Sequence, residues 1–343
     1  MDASVIIPTY RRPEKLAACL RSLSAQHPVP GGFEVLVGFD GPDADGLREA
    51  GDAWEGPPGS LRLLTCDRVG YTRVRNALLP LARGEFLIST NDDVVPEPGF
   101  VAAHVARHRR ARENVQNVVV SGDSRWRVPP NETAWDRLVR ETPMIFFDAV
   151  MRLSGQPPDK DWGFRHAWGL NLSAETALVR EVGGFTEFPA WYGYEDTELP
   201  FKLGRRFGPT PVVYEPAARL EHDHRVGAEE YVRREYSLGF AALGFATISP
   251  ECAAATFGRN VADPSERDYC RAFVAREGSA AVRAWRAILT LEMTPGTHVE
   301  TERLDAEYRA HLPLKRWAWR SGLLDAFARR APDAGTLVDH LKN

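Results

Sequence analysis

Two adjacent carboxylates, Asp92 and Asp93, lie one residue after a stretch at 86–90 that begins with Phe86-Leu87-Ile88, and they precede Val94-Val95-Pro96. An apolar run with β-branched residues that ends in polar residues is typical of a buried strand that opens into a loop. Ligands of α/β proteins bind at the carboxyl ends of strands, and adjacent carboxylates repel each other unless a cation or hydroxyl donors share them. Because hard divalent cations take oxygen ligands and keep phosphate oxygens as further partners, the pattern favours a Mg²⁺- or Mn²⁺-diphosphate site. An acidic loop without a ligand is the alternative interpretation.

The elements that must position this pair alternate between strands and helices. Apolar runs at residues 5–7, 33–39, 61–64 and 86–90 predict strands, and residues 14–23 carry apolar side chains at helical spacing. Such alternation predicts a parallel sheet with helices on both faces. Because the carboxyl ends of parallel strands meet at one edge, one nucleotide can touch the polar residues that follow them: Thr9, Arg12, Asp40, Asp92 and Asp93.

Neither of the glycine-rich phosphate-binding motifs is present. The first strand is not followed by G-x-G-x-x-G, and the chain contains no G-x-x-x-x-G-K-[ST]. A nucleotide would therefore be held by side chains and a metal. Arg73 and Arg75 lie two apart near a predicted helix start, and the planar fork of arginine suits phosphate recognition. A solvated helix face is the alternative interpretation of these arginines.

The bulk composition narrows the class of protein. With 343 residues the chain is long enough for about two domains, and its 43% hydrophobic and 26% charged residues are ordinary for a globular protein. The net charge of −4 argues against nucleic acid as a partner. We expect neither a membrane-spanning segment nor a signal peptide, because no apolar run reaches about 18 residues and residues 1–8 lack a basic region. The four cysteines form no C-x-x-C, which predicts a reduced, cytoplasmic protein without a zinc site.

Several motifs in register resemble the family 2 glycosyltransferases of the GT-A fold, in their soluble, bacterial-type inverting form. The order and spacing match to about residue 240. The motifs are Val5-Ile6-Ile7-Pro8-Thr9-Tyr10-Arg11-Arg12, Phe39-Asp40-Gly41, Arg75-Asn76, Ala82-Arg83-Gly84-Glu85-Phe86 and Asn91-Asp92-Asp93.

The resemblance implies a donor site in the first half of the chain. It assigns Asp93 to the metal end of the D-x-D motif and Asp92 to a ribose or sugar contact. The first position of that motif is Asn91, which can bind a hydroxyl but carries no charge. The other implied donor contacts are Pro8, Thr9, Tyr10 and Arg12 in the first loop, Asp40 at the base, and Arg75 with Asn76 near the donor.

The resemblance also implies an acceptor side with a general base. Trp191-Tyr192-Gly193-Tyr194-Glu195-Asp196 looks like the family's E-D motif at a helix start. An inverting transfer needs a base to take the proton of the acceptor hydroxyl, and the resemblance favours Asp196, with Glu195 binding hydroxyls. Trp191 and Tyr192 are then acceptor contacts. A helix N-cap is the alternative interpretation of the two acids.

Two histidines, His222 and His224, lie two apart on a stretch that is predicted to be extended. Side chains at this spacing point the same way and can approach one ion. In the family a histidine near this point often completes the metal shell, which implies Asp93 with His222, and His224 as the second choice. Arg225 is a candidate phosphate contact.

The C-terminal part of the chain lies beyond the resemblance. Residues 280–293 and 302–312 predict amphipathic helices, and residues 315–320 with Leu323-Leu324 resemble an interfacial membrane segment. The alternative is a helix packed on the catalytic domain or on a second subunit, as in a homodimer. Residues 107–110, a basic run, predict a solvated helix face.

Together these observations predict an α/β, GT-A fold with a mainly parallel sheet flanked by helices and a helical C-terminal extension. The predicted boundaries are a nucleotide-sugar-binding half at 1–125, an acceptor-binding half at 126–250 and the extension at 251–343. The predicted activity is metal-dependent, inverting transfer of a sugar from a nucleotide-diphosphate donor, UDP by default, to the hydroxyl of a glycan or small molecule. A sugar nucleotidyltransferase and a catalytically silent sugar-nucleotide-binding module are the alternatives.

Overall fold

The structure is a computed structural model that describes residues 1–114, 116–146, 148–157, 159–189 and 193–342. Its strands are β1 (Ala3–Thr9), β2 (Phe33–Asp40), β3 (Leu61–Cys66), β4 (Phe86–Thr90), β5 (Val94–Pro96), β6 (Val119–Trp126), β7 (Asn171–Glu175) and β8 (Val212–His222). Its helices are α1 (Pro13–Ser24), α2 (Ala44–Ala53), α3 (Tyr71–Leu78), α4 (Phe100–Glu113), α5 (Ala134–Glu141), α6 (Asp148–Leu153), α7 (Thr176–Glu181), α8 (Glu195–Phe207), α9 (Ala228–Ile248), α10 (Pro250–Phe257), α11 (Pro264–Met293), α12 (Thr301–Phe327) and α13 (Ala334–Lys342).

The chain divides into two compact units. The first, which we call the sheet unit, comprises Met1–Arg127, Val150–Glu187 and Glu195–His224. The second, the helical unit, comprises Val128–Ala149, Phe188–Tyr194 and Arg225–Asn343. The functional halves expected at 1–125 and 126–250 stay a prediction.

The sheet unit contains one eight-stranded sheet within the described residues, in the order β3-β2-β1-β4-β7-β6-β8-β5. Strands β1, β2, β3 and β4 pair in parallel, as the alternation of strands and helices predicted. Strand β7 is antiparallel to both β4 and β6, and β5 is antiparallel to β8, so the sheet is mixed. The predicted α/β sheet flanked by helices and the predicted helical C-terminal region are confirmed.

Burial on both faces explains why the central strands read as continuous apolar runs. All residues of β1 are buried, and the core joins Ile6, Leu36, Leu87, Val119 and Leu172 from neighbouring strands. Strands covered on both faces lose the alternation of apolar and polar residues that marks a half-exposed sheet. The ends of these strands are therefore the places where polar side chains can gather.

In the helical unit, helices α9 and α12 pack with their backbones in contact. A Cβ atom added at Gly322 would lie 2.0 Å from the carbonyl oxygen of Tyr236, so only glycine permits this approach. Trp317 and Leu323 are buried, and the Trp317 indole donates to the carbonyl of Val274 in α11. These contacts favour the packed helix over the interfacial membrane segment. Among the described residues, no helix combines the length and apolar character that crossing a bilayer requires.

The prediction that residues 107–110 form a solvated helix face is wrong for half of the run. Arg107 and His108 are buried in α4, whereas Arg109 and Arg110 are exposed and pair with Asp2 and Glu215. Consecutive residues of a helix point about 100° apart, so four in a row cannot share one face.

The buried face of α4 carries a hydrogen-bonded network of His104, His108, Ser173 and Asn171. The Asn171 amide donates to the Ala218 carbonyl, so its Oδ1 accepts from His104 Nε2. Nδ1 of His104 then accepts from the Ser173 hydroxyl, which in turn accepts from His108 Nε2. This order requires neutral rings, and burial lowers the pKa of His104 to about 4 and that of His108 to about 3.

This network predicts acid sensitivity of folding. Both histidines stay neutral in the folded chain while the unfolded chain gains protons below about pH 6.5, so stability is lost as pH falls below that value. The variant His104→Gln keeps a donor and an acceptor but does not titrate. Between about pH 7.5 and pH 5, we expect its unfolding free energy to fall by about 2 kcal/mol less than that of the parent. Denaturant unfolding at both pH values measures this, with the exposed His27→Gln as control. Parallel pH curves for parent and His104→Gln would contradict the assignment.

Candidate functional site

The acidic pair lies at the end of β4, where the sequence places it, and both side chains are buried. Asp92 Oδ2 accepts from the Thr9 hydroxyl at 2.7 Å, so the end of β1 contacts the loop after β4. Burial raises the pKa of Asp92 to about 6, against the lowering effect of the nearby Arg12 guanidinium. The structure thus brings together Thr9, Asp92 and Asp93, which the sequence predicted to share one edge of the sheet.

Arg12 spans both carboxylates. Its Nη2 lies 2.9 Å from Asp92 Oδ1, and its Nη1 lies 2.7 Å from Asp93 Oδ2. The side chain of Arg12 is 45% exposed, whereas those of Asp92 and Asp93 are 1% and 6% exposed. A guanidinium therefore supplies the cationic partner that two adjacent buried acids require.

The two histidines of the predicted metal set lie beside Asp93. His222 Nε2 is 3.5 Å from Asp93 Oδ1, and His224 Nδ1 is 3.8 Å from Asp93 Oδ2. Antiparallel pairing of β5 with β8, with Val94 opposite His222, produces this approach. Burial acts to raise the pKa of Asp93, but the contact with His222 and the charges of His222 and Arg12 outweigh it and hold this pKa below its usual range.

The donor set around Asp93 fits a hard divalent cation only when a ligand completes it. Over the ranges that the structure describes, no group of three or more His, Cys, Asp or Glu side chains is arranged as a metal cage. Mg²⁺ is usually bound through one or two carboxylates together with substrate phosphates, and Asp93 with one histidine matches that pattern. Metal binding by Asp93, His222 and His224 stays a prediction.

Asp40 at the end of β2 shapes the loop that leads into α3. Its carboxylate accepts from the backbone N–H groups of Val69 at 2.6 Å and Gly70 at 3.1 Å, and it pairs with Arg68 at 3.2 Å. Gly70 has a φ of 89°, a conformation that glycine adopts readily. The Arg68 guanidinium covers the ring of Tyr10 at 3.4 Å from its centroid. A contact between Asp40 and a nucleotide base stays a prediction.

Pro8 and Asn76, both predicted donor contacts, have structural surroundings here. Pro8 is buried within β1 opposite Gly38 of β2. The amide of Asn76 donates to the Phe185 carbonyl at 2.8 Å and accepts from the Phe185 N–H at 2.9 Å. Donor binding by these two residues stays a prediction that their contacts do not support.

Arg75 is a buried link between the loop after β4 and the start of α8. Its Nη2 donates to Asn91 Oδ1 at 2.9 Å, and its Nη1 lies 3.5 Å from Glu195 Oε1. The Tyr71 hydroxyl donates to the same Glu195 oxygen at 2.7 Å. Because Arg75 is only 2% exposed, it orders the loop of Asn91 from within. Arg75 and Asn91 were predicted to lie near the donor, whereas Tyr71, which carries no motif signal, was not predicted.

The two acids of the E-D motif begin α8 and have different surroundings. Glu195 is 4% exposed, and burial together with the charge of Asp196 raises its pKa to about 7, against the effects of Arg75 and Tyr71. Asp196 is half-buried and accepts from the N–H groups of Gly169 at 3.1 Å and Thr197 at 2.8 Å. Burial raises the pKa of Asp196, opposed by these two N–H donors. The N–H group of Thr197 belongs to the first turn of α8, so Asp196 satisfies one of the backbone donors there, but not in the manner of an N-cap, which accepts from two or three residues ahead.

Three further candidates lie elsewhere or outside the described residues. Trp191 and Tyr192, the predicted acceptor contacts, lie outside the residues that the structure describes. Arg225, a candidate phosphate contact, pairs with Asp136 at 2.7 Å within the helical unit.

One further charged residue beside the acidic pair was missed. Asp223 pairs with Lys15 at 2.7 Å and with Arg127 at 3.2 Å, and its N–H donates to the Asp93 carbonyl. Its position between two candidate histidines is the signal that could have identified it.

The chain matches known glycosyltransferases in sequence. Residues 4–165 match the sequence model of glycosyl transferase family 2. The uncharacterized glycosyltransferase YfnE of Bacillus subtilis (strain 168) is 30% identical over 59% of this chain and 60% of its own length. The validoxylamine A glucosyltransferase of Streptomyces hygroscopicus subsp. limoneus is 30% identical over 58% of this chain and 47% of its own length. The chain thus spans about half to three fifths of the length of these curated relatives.

The fold also matches a solved structure. The mannosyltransferase PcManGT from Pyrobaculum calidifontis, determined in complex with GDP-Man and Mn²⁺, superposes with a TM-score of 0.61 over 96% of this chain and 88% of that chain. At 16% sequence identity this likeness shows the fold alone. The match to the family, the glycosyltransferase relatives and this shared architecture agree with the motifs read from the sequence. The chain has the GT-A fold, and its residues 4–165 match glycosyl transferase family 2.

Proposed function

We propose that this protein transfers a sugar from a nucleotide-diphosphate donor to an acceptor hydroxyl. The observation that carries the proposal is the buried acidic pair, Asp92 and Asp93, which is contacted by the Arg12 guanidinium from the β1 loop and by the His222 imidazole from the end of β8. This charge arrangement lies at the carboxyl ends of parallel strands, where α/β folds bind nucleotides. The match of residues 4–165 to glycosyl transferase family 2 and the likeness to a glucosyltransferase support the same activity.

Asp93 and His222, with His224 as the second histidine, would hold a Mn²⁺ or Mg²⁺ ion together with the donor diphosphate. Such an ion supplies neutralisation of the charge that develops on the leaving diphosphate. Arg12 and Thr9 lie beside the two acids and would contact the same donor. We propose UDP as the nucleotide, by the family resemblance; the GDP-Man bound by PcManGT makes GDP the first competitor to test.

Asp196 is proposed as the base of an inverting transfer. A general base must be reached by the acceptor hydroxyl, and Asp196 is half-buried whereas Glu195 is enclosed. Each oxygen of Asp196 accepts one backbone N–H, which leaves a further lone pair on each for a proton. Glu195, held by Arg75 and Tyr71, positions the start of α8.

The acceptor is proposed to be a hydroxyl-bearing glycan or small molecule, with Trp191 and Tyr192 as its contacts. The four cysteines are free thiols, which fits action in the cytoplasm. A homodimer through the C-terminal helices stays a proposal. The helical packing of residues 315–320 gives the membrane-contact alternative no support.

Donor binding tests the proposed function directly. With Mn²⁺ present, we expect one nucleotide-sugar among UDP-, GDP- and dTDP-sugars to raise the melting temperature. At a hundred times its Kd, that ligand should raise the unfolding free energy by about 2.7 kcal/mol. Asp93→Asn should lose this shift, and His222→Ala should need more Mn²⁺ to reach it. The exposed Asp45→Asn is the matched control. An equal shift in the parent and in Asp93→Asn would refute the site.

Product analysis then separates the alternatives. A glycosyltransferase releases the nucleoside diphosphate, whereas a sugar nucleotidyltransferase releases pyrophosphate. A silent binding module would show the thermal shift with neither donor hydrolysis nor transfer to any acceptor.

The assignment of the base predicts a selective loss of turnover. Asp196→Asn should lower kcat about 10²- to 10⁴-fold, the usual size of a general-base contribution, while the Kd of the donor stays close to the parent value. Steady-state kinetics and a donor titration measure both quantities. Glu181→Gln removes an exposed carboxylate of α7 and serves as control. Unchanged kcat in a folded Asp196→Asn protein would remove Asp196 from the mechanism.

The surroundings of Glu195 predict a pH-dependent stability. Its raised pKa means that the folded chain holds a proton that the unfolded chain releases, so this contribution is present below about pH 4.3 and is lost as pH rises through about 7. Between about pH 5 and pH 8, we expect the unfolding free energy of the parent to fall by about 2 kcal/mol more than that of Glu195→Gln. Chemical denaturation checks this, with Glu187→Gln as the exposed control. A pH-independent difference would show that Glu195 is ionised throughout.

A further inference from the structure

Arg12 contacts one carboxylate oxygen of Asp92 and one of Asp93, and other described residues make the close contacts to the second oxygen of each acid. The Thr9 hydroxyl donates to Asp92 Oδ2, and His222 Nε2 approaches Asp93 Oδ1. The guanidinium of Arg12 contacts the other oxygen of each, Asp92 Oδ1 and Asp93 Oδ2. His224 also lies on that side of the pair, at 3.8 Å from Asp93 Oδ2.

The exposure of these groups shows which of them can move. The acids are enclosed, with side-chain exposures of 1% and 6%, whereas Arg12 is 45% exposed. Arg12 directly precedes α1, and its carbonyl accepts from the Leu16 N–H, so its backbone is held while its side chain extends along the surface. The guanidinium can therefore leave the acids for water without opening a cavity in the core.

A divalent cation and Arg12 would compete for Asp93 Oδ2. Two cations on one carboxylate oxygen repel each other, so Arg12 opposes a metal that binds alone. A diphosphate changes this balance, because phosphate oxygens accept the paired hydrogen bonds of a guanidinium as well as carboxylates do. The donor diphosphate would thus replace the carboxylate contacts that Arg12 loses when the metal binds.

We propose that Arg12 is an exchangeable counter-ion of the acidic pair, which makes metal binding conditional on the presence of a diphosphate. Resting on the proposed function, this inference adds that metal and donor bind with positive cooperativity, and that Arg12 is the residue that couples them. The coupling is reciprocal, so the metal strengthens diphosphate binding by the same factor.

Titration of the full chain with Mn²⁺ alone, followed by calorimetry or by the electron paramagnetic resonance of free Mn²⁺, tests the exchange. We expect Arg12→Gln to bind Mn²⁺ on the order of tenfold more tightly than the parent when no nucleotide is present, the effect of removing an adjacent cation. With UDP or GDP as probe, the gain in Mn²⁺ affinity should be larger in the parent than in Arg12→Gln. In EDTA the melting temperature of Arg12→Gln should fall below that of the parent, and Mn²⁺ should restore it.

Matched variants separate competition from general electrostatics and from misfolding. Arg11→Gln removes the same charge one residue away and should bind Mn²⁺ as the parent does. Arg12→Lys keeps the charge but not the fork, so its Mn²⁺ affinity should lie between those of the parent and Arg12→Gln. This variant also serves if Arg12→Gln does not fold.

Two results would overturn the exchange, and they differ in what else they remove. If Arg12→Gln and the parent bind Mn²⁺ equally while Asp93→Asn binds it weakly, only the role of Arg12 is lost. If Asp93→Asn also binds Mn²⁺ as the parent does, the metal assignment in the proposed function fails as well. The sugar donor and the acceptor take no part in this titration, so failure to find either leaves its result unaffected.

Discussion

The repulsion between two adjacent buried carboxylates is the constraint on which this site depends. Asp92 and Asp93 lie just after the end of β4, and their burial removes the water that would otherwise screen them. Partners reach the two acids from two directions. Thr9 ends β1 and Arg12 follows it, while His222 ends β8 and His224 follows it. The two acids consequently differ in pKa: burial prevails at Asp92 and raises its pKa, whereas the contacts with His222 and Arg12 outweigh burial at Asp93 and lower its pKa. Asp93 is therefore ionised at neutral pH and can bind a cation.

A second buried charge network ties the acidic loop to the candidate base. Arg75 contacts Asn91, the residue before the acidic pair, and also Glu195, the residue before Asp196. Truncating one member of such a network would leave another charge buried without its partner, which costs more than the contact itself. Asn91 stands where the family motif has an aspartate, and its surroundings give a physical reason. The amide oxygen of Asn91 accepts from Arg75 without adding a third negative charge beside Asp92 and Asp93.

The sequence predicted those parts of the fold and site that depend on local pattern. Continuous apolar runs located β1, β2, β3 and β4, and their parallel pairing followed from the helices between them. The convergence of Thr9, Arg12 and the acids followed from the rule that parallel strands end at one edge. The antiparallel insertion of β7 between β4 and β6 carried no comparable signal, because the pairing of β4 with β7 joins segments about 80 residues apart.

Side-chain roles that depend on such distant contacts were not predictable. Asn76 binds the backbone of Phe185, and the partner of Arg107 is Asp159, more than fifty positions later in the chain. The burial of Arg107 and His108 follows from the orientation of α4 on the sheet. A run of basic residues in the sequence does not indicate that orientation.

The contrast between Glu195 and Asp196 shows how a helix start can give neighbouring acids different tasks. Consecutive residues of a helix point about 100° apart, so one acid can face Arg75 and Tyr71 inside while the next remains accessible. Both lie at the N-terminus of α8, where the helix dipole favours negative charge. Burial raises the pKa of both acids against that field, but the oxygens of Asp196 accept from the N–H groups of Gly169 and Thr197, whereas Glu195 contacts the side chains of Arg75 and Tyr71. The helix thus holds its inner acid as a positioning group and presents its outer acid with lone pairs available, which is the division that a base acting on an incoming hydroxyl requires.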